Sequence, residues 1–229
     1  MLTMRNLSAA AALAMAAAAG CNADVVENTD PASVLEAWSN GHVVLPAEVS
    51  WHAPAGVLTE RSEIEAMLQT LQAHIVPPIE KHHRVARARL GNGAFVFAAE
   101  DFGAAGLQLL YFPGDQRRAA VPVVSTYAAT WNEKDAVARA AALATCFAST
   151  GHYRDPQVEA TNAAALNAII TSFRLQPGLP DLTLEGLPER LGDNFIAFGW
   201  TVGEIHGVDV TLVGSDGNLA NVVGFFSAR

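Results

Sequence analysis

Between positions 163 and 173 the apolar residues Leu166, Ile169, Ile170 and Phe173 fall on one stripe, and this spacing predicts an amphipathic helix. Pro177-Gly178 and Pro180 end it. Upstream, Asp135 is placed to cap a helix over 136–148, with Leu143 and Phe147 four apart on one face. A short strand at His152-Tyr153 lies between the two helices and breaks at Asp155-Pro156. Strands follow at 182–187, 195–202, 208–213 and 219–226, the last two joined by a hairpin-type turn, Ser215-Asp216-Gly217-Asn218. The first half repeats this grammar. Asp30-Pro31 caps a helix running to about 38, and Ser62-x-x-Glu65 is a capping box for a helix bearing Ile64, Met67, Leu68 and Leu71. Pro77-Pro78 closes that helix, and strands are predicted at 81–90, 94–100, 107–112 and 118–124. Helices followed by a run of antiparallel strands make an α+β domain, not a parallel doubly wound sheet.

The two halves also match residue by residue. Arg89-Leu90-Gly91-Asn92-Gly93 aligns with Arg190-Leu191-Gly192-Asp193-Asn194 at an offset of 101. Trp51-His52-Ala53-Pro54 aligns with Tyr153-Arg154-Asp155-Pro156 at 102, and the turns Pro113-Gly114-Asp115 and Gly214-Ser215-Asp216 stand 101 apart. A repeat held at one offset predicts two tandem domains, 30–124 and 125–229, meeting near Ser125-Thr126.

Ahead of them, Arg5, an apolar run from Leu7 to Ala19, and Ala18-Ala19-Gly20 before Cys21 form a targeting segment over 1–20. The pattern resembles a bacterial lipobox. It implies export, a lipid on Cys21, a linker over 21–29 and anchorage to the cell envelope on its periplasmic or extracellular side. Cys146 is then left without a disulfide partner. The chain is 51% hydrophobic and 16% charged, enough to build a packed core. A net charge of −9 with no basic cluster excludes nucleic acid and electrostatic binding to anionic lipid.

Trp131-Asn132-Glu133-Lys134-Asp135, Arg139, Tyr153-x-Asp155-Pro156, Phe173, Pro177-Gly178, Trp200, Gly207-x-Asp209 and Gly224-Phe225-Phe226 together resemble the SnoaL-like group of the nuclear transport factor 2-like superfamily. The resemblance covers residues 127–227. It implies a cone-shaped domain whose curved sheet wraps helices around an apolar pocket, and pairing of such domains through their open sheet faces. For a tandem chain the expectation is an intramolecular pseudo-dimer, the second domain pairing with the first. Enzymes of this superfamily use a pocket carboxylate or His as base, with a donor aimed at an enolate oxygen.

Residues placed to serve such a pocket are Tyr153, Asp155, Trp200, His206 and Asp209, with Glu204 beside His206. Asp209 alternates with Val208 and Val210, so it faces a cavity or solvent depending on which side of the strand is covered. His82 and His83 point to opposite faces of a strand and cannot share a metal, and Glu204 with His206 lacks a third ligand. No metal and no cofactor are expected, since glycine-rich phosphate loops, nucleophile elbows and paired-cysteine motifs do not occur. At the 101 offset, Asp155 and Asp209 are matched by Ala53 and by Gln108 or Leu109, so the first domain lacks the same carboxylates. The reading these observations favour is a lipid-anchored module that binds a small apolar ligand or a partner protein without catalysis. The alternative is an isomerase, cyclase or dehydratase using Asp209 with Tyr153 or His206.

Overall fold

Each half opens on a helix whose first turn is closed by a short polar side chain or a proline. In the computed structural model, which describes residues 30–70, 75–82, 84–100, 102, 105–113 and 121–227, Asp30 caps helix α1 (Pro31–Ser39) by accepting from Ser33 N. Pro122 occupies the first turn of α3 (Pro122–Thr130), where its missing N–H costs nothing. Asp135 accepts from Val137 N and Ala138 N, both at 2.8 Å, to start α4 (Ala136–Leu143). Asn162 does the same for α5 (Ala163–Arg174) through Ala165 N. Helix α2 (Arg61–Thr70) departs from the capping-box expectation. It begins two residues earlier, so Ser62 sits inside its first turn, and Arg61 pairs with Glu65 at 2.7 Å.

The strands form two six-stranded sheets of identical plan. In the first, β1 (Val49–Ala53), β2 (Gly56–Leu58), β3 (Ile75–His82), β4 (Val85–Leu90), β5 (Phe95–Glu100) and β6 (Leu107–Phe112) lie in the order β2-β1-β6-β5-β4-β3. In the second, β7 (Phe147–Arg154), β8 (Glu159–Ala160), β9 (Thr183–Leu191), β10 (Phe195–Val202), β11 (Ile205–Val213) and β12 (Leu219–Ser227) lie in the order β8-β7-β12-β11-β10-β9. Each sheet is mixed, because β1 runs parallel to β6 and β7 parallel to β12. Pro77-Pro78 belongs to edge strand β3, at a register shift against β4, where missing ladder donors are tolerated.

Residues 121–124, expected to end a strand of the first domain, are the start of α3. Val121 and Val124 pack in the core of the second sheet with Leu166 and Ile196, so the second domain begins before Ser125. The strand expected over 118–124 therefore does not form at 121–124, and 114–120 lie outside the described residues. The targeting segment and Cys21 also lie outside them.

Side-chain alternation divides three apolar clusters. One face of the first sheet buries Trp51, Leu90, Val96 and Leu109 against α1 and α2. One face of the second surrounds α3 to α5. The opposite faces meet: Val85, Phe97, Phe102, Leu110 and Phe112 share a cluster with Phe195, Ala197, Val210, Val223 and Phe225. Arg87 bridges this junction. Its guanidinium is held bidentately by Glu80 at 2.6 and 2.7 Å and lies over Phe95 of its own sheet and Phe225 of the other.

Candidate functional site

The covered sheet face decides where the polar residues of β11 point. Val208, Val210 and Leu212 face the shared cluster, so Asp209 and Thr211 turn to the other side, beneath the helices. There a cavity of about 570 Å³ opens between the concave sheet and α3 and α5. Helix α3 supplies Tyr127, with Trp131 just past its end, β7 supplies Tyr153, and α5 supplies Ile169 and Phe173. Strand β10 adds Phe198 and Trp200, and β12 adds Phe226. Polar groups enter this apolar wall at few points, chiefly Asp155 and Asp209.

The two carboxylates stand in different surroundings. Asp155 accepts three hydrogen bonds, from Tyr153 Oη at 2.7 Å and from the backbone N–H groups of Gln157 and Val158 at 2.7 and 2.8 Å. It is the acceptor that closes the turn after β7. Asp209 is only 4% exposed and receives one hydrogen bond, from Trp200 Nε1 at 2.6 Å. Burial raises its pKa to about 7, against the pull of the Trp200 bond, and the charge of Asp155 adds to the rise.

Two glycines make this arrangement possible. A Cβ on Gly207 would lie 2.2 Å from the Trp200 ring, so only glycine lets the indole lie flat against β11 and reach Asp209. A Cβ on Gly224 would lie 3.0 Å from Asp209 Oδ1, 3.5 Å from Asp155 Cβ and 3.7 Å from Tyr153 Oη. The three groups thus converge on one bare stretch of backbone.

Tyr127 completes the set. Its side chain is 1% exposed, and its hydroxyl meets no hydrogen-bond partner in good geometry, the neighbouring Trp131 indole included. Burial first, and then the charge of Asp209, push its pKa well above the usual phenol value, so it stays a donor. Sequence reasoning missed Tyr127 because it lies just past the boundary placed near Ser125-Thr126, where no helix was predicted. The signal was its spacing to Trp131, one helical turn on.

The remaining predicted residues lie elsewhere. His206, expected at the pocket, sits on the exposed β10–β11 hairpin, where Nδ1 meets Glu185 at 2.7 Å. A two-residue turn at Gly203-Glu204 carries it past the cavity mouth. Glu204 is exposed at that tip. Cys146 is buried, its thiol pushed up to about 12 by desolvation, which makes it inert as a nucleophile. Among the described residues no three His, Cys, Asp or Glu side chains are grouped to hold a metal ion.

No family model and no curated protein matches the chain. Among solved structures it is similar to a putative isomerase of the SnoaL-like family from Agrobacterium tumefaciens. The identity is 30%, over 46% of this chain and 95% of that one, with a TM-score of 0.43. The chain belongs to the SnoaL-like family. It is also similar to a steroid delta-isomerase from Pseudomonas aeruginosa, 13% identical over 47% of this chain and 78% of that one, TM-score 0.35. A SnoaL-like protein of unknown function from Burkholderia thailandensis is 11% identical over 49% of this chain and 100% of that one, TM-score 0.37. Each of these spans about half of this SnoaL-like chain, the length of one of its sheets with its helices.

Strand pairing shows what became of the site in the first SnoaL-like domain. Trp51 pairs with Leu58 and Leu109, as Tyr153 pairs with Ala160 and Val222, so Trp51 stands in the place of Tyr153. Carried across the sheet, this register puts Ala53 at the place of Asp155, Val96 at Asp209, Leu90 at Trp200 and Tyr111 at Gly224. Ala53 agrees with the sequence alignment. Gln108 and Leu109 do not, because the 101 offset matched the β4–β5 turn to the β9–β10 turn and slipped by one strand. Tyr111 and Trp51 stack 5.6 Å apart in the volume that the second domain leaves open.

Proposed function

We propose that the second domain is an acid–base enzyme of the isomerase type, acting on a small carbonyl compound. The observation that carries this is a nearly solvent-free carboxylate, Asp209, facing an aromatic cavity with one hydrogen bond to it. A carboxyl tuned to about 7 is half ionised at neutral pH and serves equally as base and acid. In the reading proposed, Asp209 takes a proton from the carbon beside the substrate carbonyl, and the electron pair moves onto the oxygen as an enolate. The Tyr127 hydroxyl, kept protonated, donates to that oxygen. Asp209 then returns the proton to another carbon of the same conjugated system, so nothing is consumed. Asp155 acts through position: it fixes Tyr153 and the turn beside Gly224. Tyr153 is committed to Asp155, so neither it nor the distant His206 serves as partner to Asp209.

The test is deuterium exchange. A β,γ-unsaturated cyclic ketone in D₂O should gain deuterium beside its carbonyl faster than in buffer, and Asp209→Asn should cut the enzymatic rate by roughly 10²-fold or more. Exchange at the buffer rate overturns the assignment.

Binding without turnover is the second reading, supported by the first domain, which keeps the fold and has lost both carboxylates of the site. Retention of a small molecule by the intact protein in native mass spectrometry, with no exchange activity, would decide for it. Two further parts of the proposal rest on sequence pattern and packing. Export and lipid anchorage through Cys21 predict membrane-fraction protein that Cys21→Ser releases into the soluble fraction. The shared cluster of Phe97, Phe112 and Phe225 supports the first domain as a built-in partner of the second.

A further inference from the structure

We propose that the substrate of the second-domain cavity carries a positively charged amine nitrogen. This rests on the reading of that cavity as a substrate site and names the class of molecule it accepts.

The lining holds two carboxylates, Asp155 and Asp209, seven aromatic rings and no Lys, Arg or His. Neighbouring rings of the lining meet tilted or edge-on, not stacked. Trp131 meets Tyr153 at 53° and Phe173 at 86°, with centroids 5.4 and 5.6 Å apart, and Trp200 meets Phe226 at 58° and 5.7 Å. Ring faces turned toward a common space attract a cation through their quadrupoles.

The two basic side chains packed behind this wall are already engaged elsewhere. Arg174 bonds to the carbonyls of Trp131 and Pro180 and to Asn132. Arg139 bonds to Asn167, Thr171 and the carbonyl of Glu133. The groups that face Asp209 are Tyr127 from α3, Tyr153 from β7, Asp155 from the following turn and Trp200 from β10. None is a base. The field in the cavity is therefore negative or neutral and never positive.

That asymmetry decides among ligand classes. An anionic ligand would bring a third negative charge into a poorly hydrated space with no counter-ion. A wholly apolar one would strip the remaining water from two carboxylates and return nothing. A cation offsets both carboxylates and meets the ring faces, and the unpartnered Tyr127 hydroxyl offers an acceptor to an amine N–H. An amine seated beside Asp209 also favours its ionised form, the form that accepts a proton in the proposed reaction.

The experiment is calorimetric titration of the full chain with choline and with 3,3-dimethylbutan-1-ol, its uncharged carbon isostere. Shape and apolar area are matched, so the difference reads the charge alone. Choline should bind roughly 30-fold tighter, the size of a desolvated cation–π attraction. Asp209→Asn and Asp155→Asn should each weaken choline and leave the alcohol unchanged. Equal or tighter binding of the alcohol overturns the proposal, and so does failure of choline to bind at millimolar concentration. The wild-type comparison needs no variant to fold. Deuterium exchange separates this from the parent reading. Fast exchange into the uncharged ketone without choline binding sinks the cation alone, and choline preference with exchange at the buffer rate sinks the chemistry alone.

Discussion

Ionised Asp209 is a burden on the folded state, and that burden has a measurable sign. Its pKa rises from 3.8 to about 7 on folding, so between pH 4 and 7 the native protein holds a proton that the unfolded chain has released. Stability contributed by this group is present below pH 4 and is lost as pH climbs through 7, by up to about 1.4 kcal/mol per pH unit. Asp209→Asn should therefore raise Tm above wild type at pH 8 by several degrees, with the gap closing toward pH 4. A gap that is constant with pH would mean that Asp209 titrates normally. The same residue should give the exchange rate a pH dependence rising through about 7. Gly207 belongs at this scale too. Gly207→Ala should push the Trp200 indole off Asp209 and cost about 1–3 kcal/mol of overpacking, seen as lost Tm and lost indole fluorescence shift on ligand binding. Asp209, Asp155, Tyr153 and Trp200 were legible as candidates from residue type and spacing. Which way Asp209 faces was not, because alternation gives two faces and only the covering of one by the other domain tells them apart. For His206 the sequence offered two readings, a pocket residue and a solvated hairpin tip between Gly203 and Gly207, and the structure takes the second.

Elements hold the cavity open through one polar seam. Asn132 pairs with Leu182 as a strand residue would, donating to its carbonyl at 2.8 Å and accepting from its N–H at 2.7 Å. Arg174, at the end of α5, joins the same seam. Segment 175–182 is thereby clasped against the wall, with Leu179 and Leu182 turned into the cavity. Arg174→Ala should loosen this segment, costing about 2 kcal/mol in denaturant unfolding and raising KM more than it lowers kcat. An equal loss in both would point to the chemistry itself. Helix periods and caps made α1, α5 and the start of α4 readable in advance. The helix expected over 136–148 ends at Leu143, and Phe147, expected with Leu143 on one helical face, instead opens β7. The boundary helix α3 was not, since Val121, Val123 and Val124 read as a strand until Pro122 is seen to start a helix that packs on the second core. The slipped internal alignment has the same origin. A turn motif, Leu-Gly followed by Asn or Asp, fits any hairpin of a sheet, and only pairing register distinguishes one hairpin from the next.

At the scale of the whole chain, two sheets of one plan have unequal contents. Titration of the intact protein with any cavity ligand should give one site per chain, and a stoichiometry of two would contradict the filled first domain. The shared cluster should make the halves unfold together: Phe225→Ala, removing a fully buried ring at the junction, should cost about 3–5 kcal/mol and shift a single transition. Two separate transitions in the wild type would show that the halves are independent.

The stack of Trp51 on Tyr111 has a consequence for how such a protein changes over generations. In a symmetric pair made from one gene, every substitution appears twice, once in each partner, and a change that improves the scaffold also lands in the reaction chamber. Here the two roles are encoded at separate addresses. The half with the filled interior is free to vary in stability or solubility while the other half keeps its cavity residues, and a laboratory library confined to residues 30–113 can be screened for sturdiness with those residues left untouched.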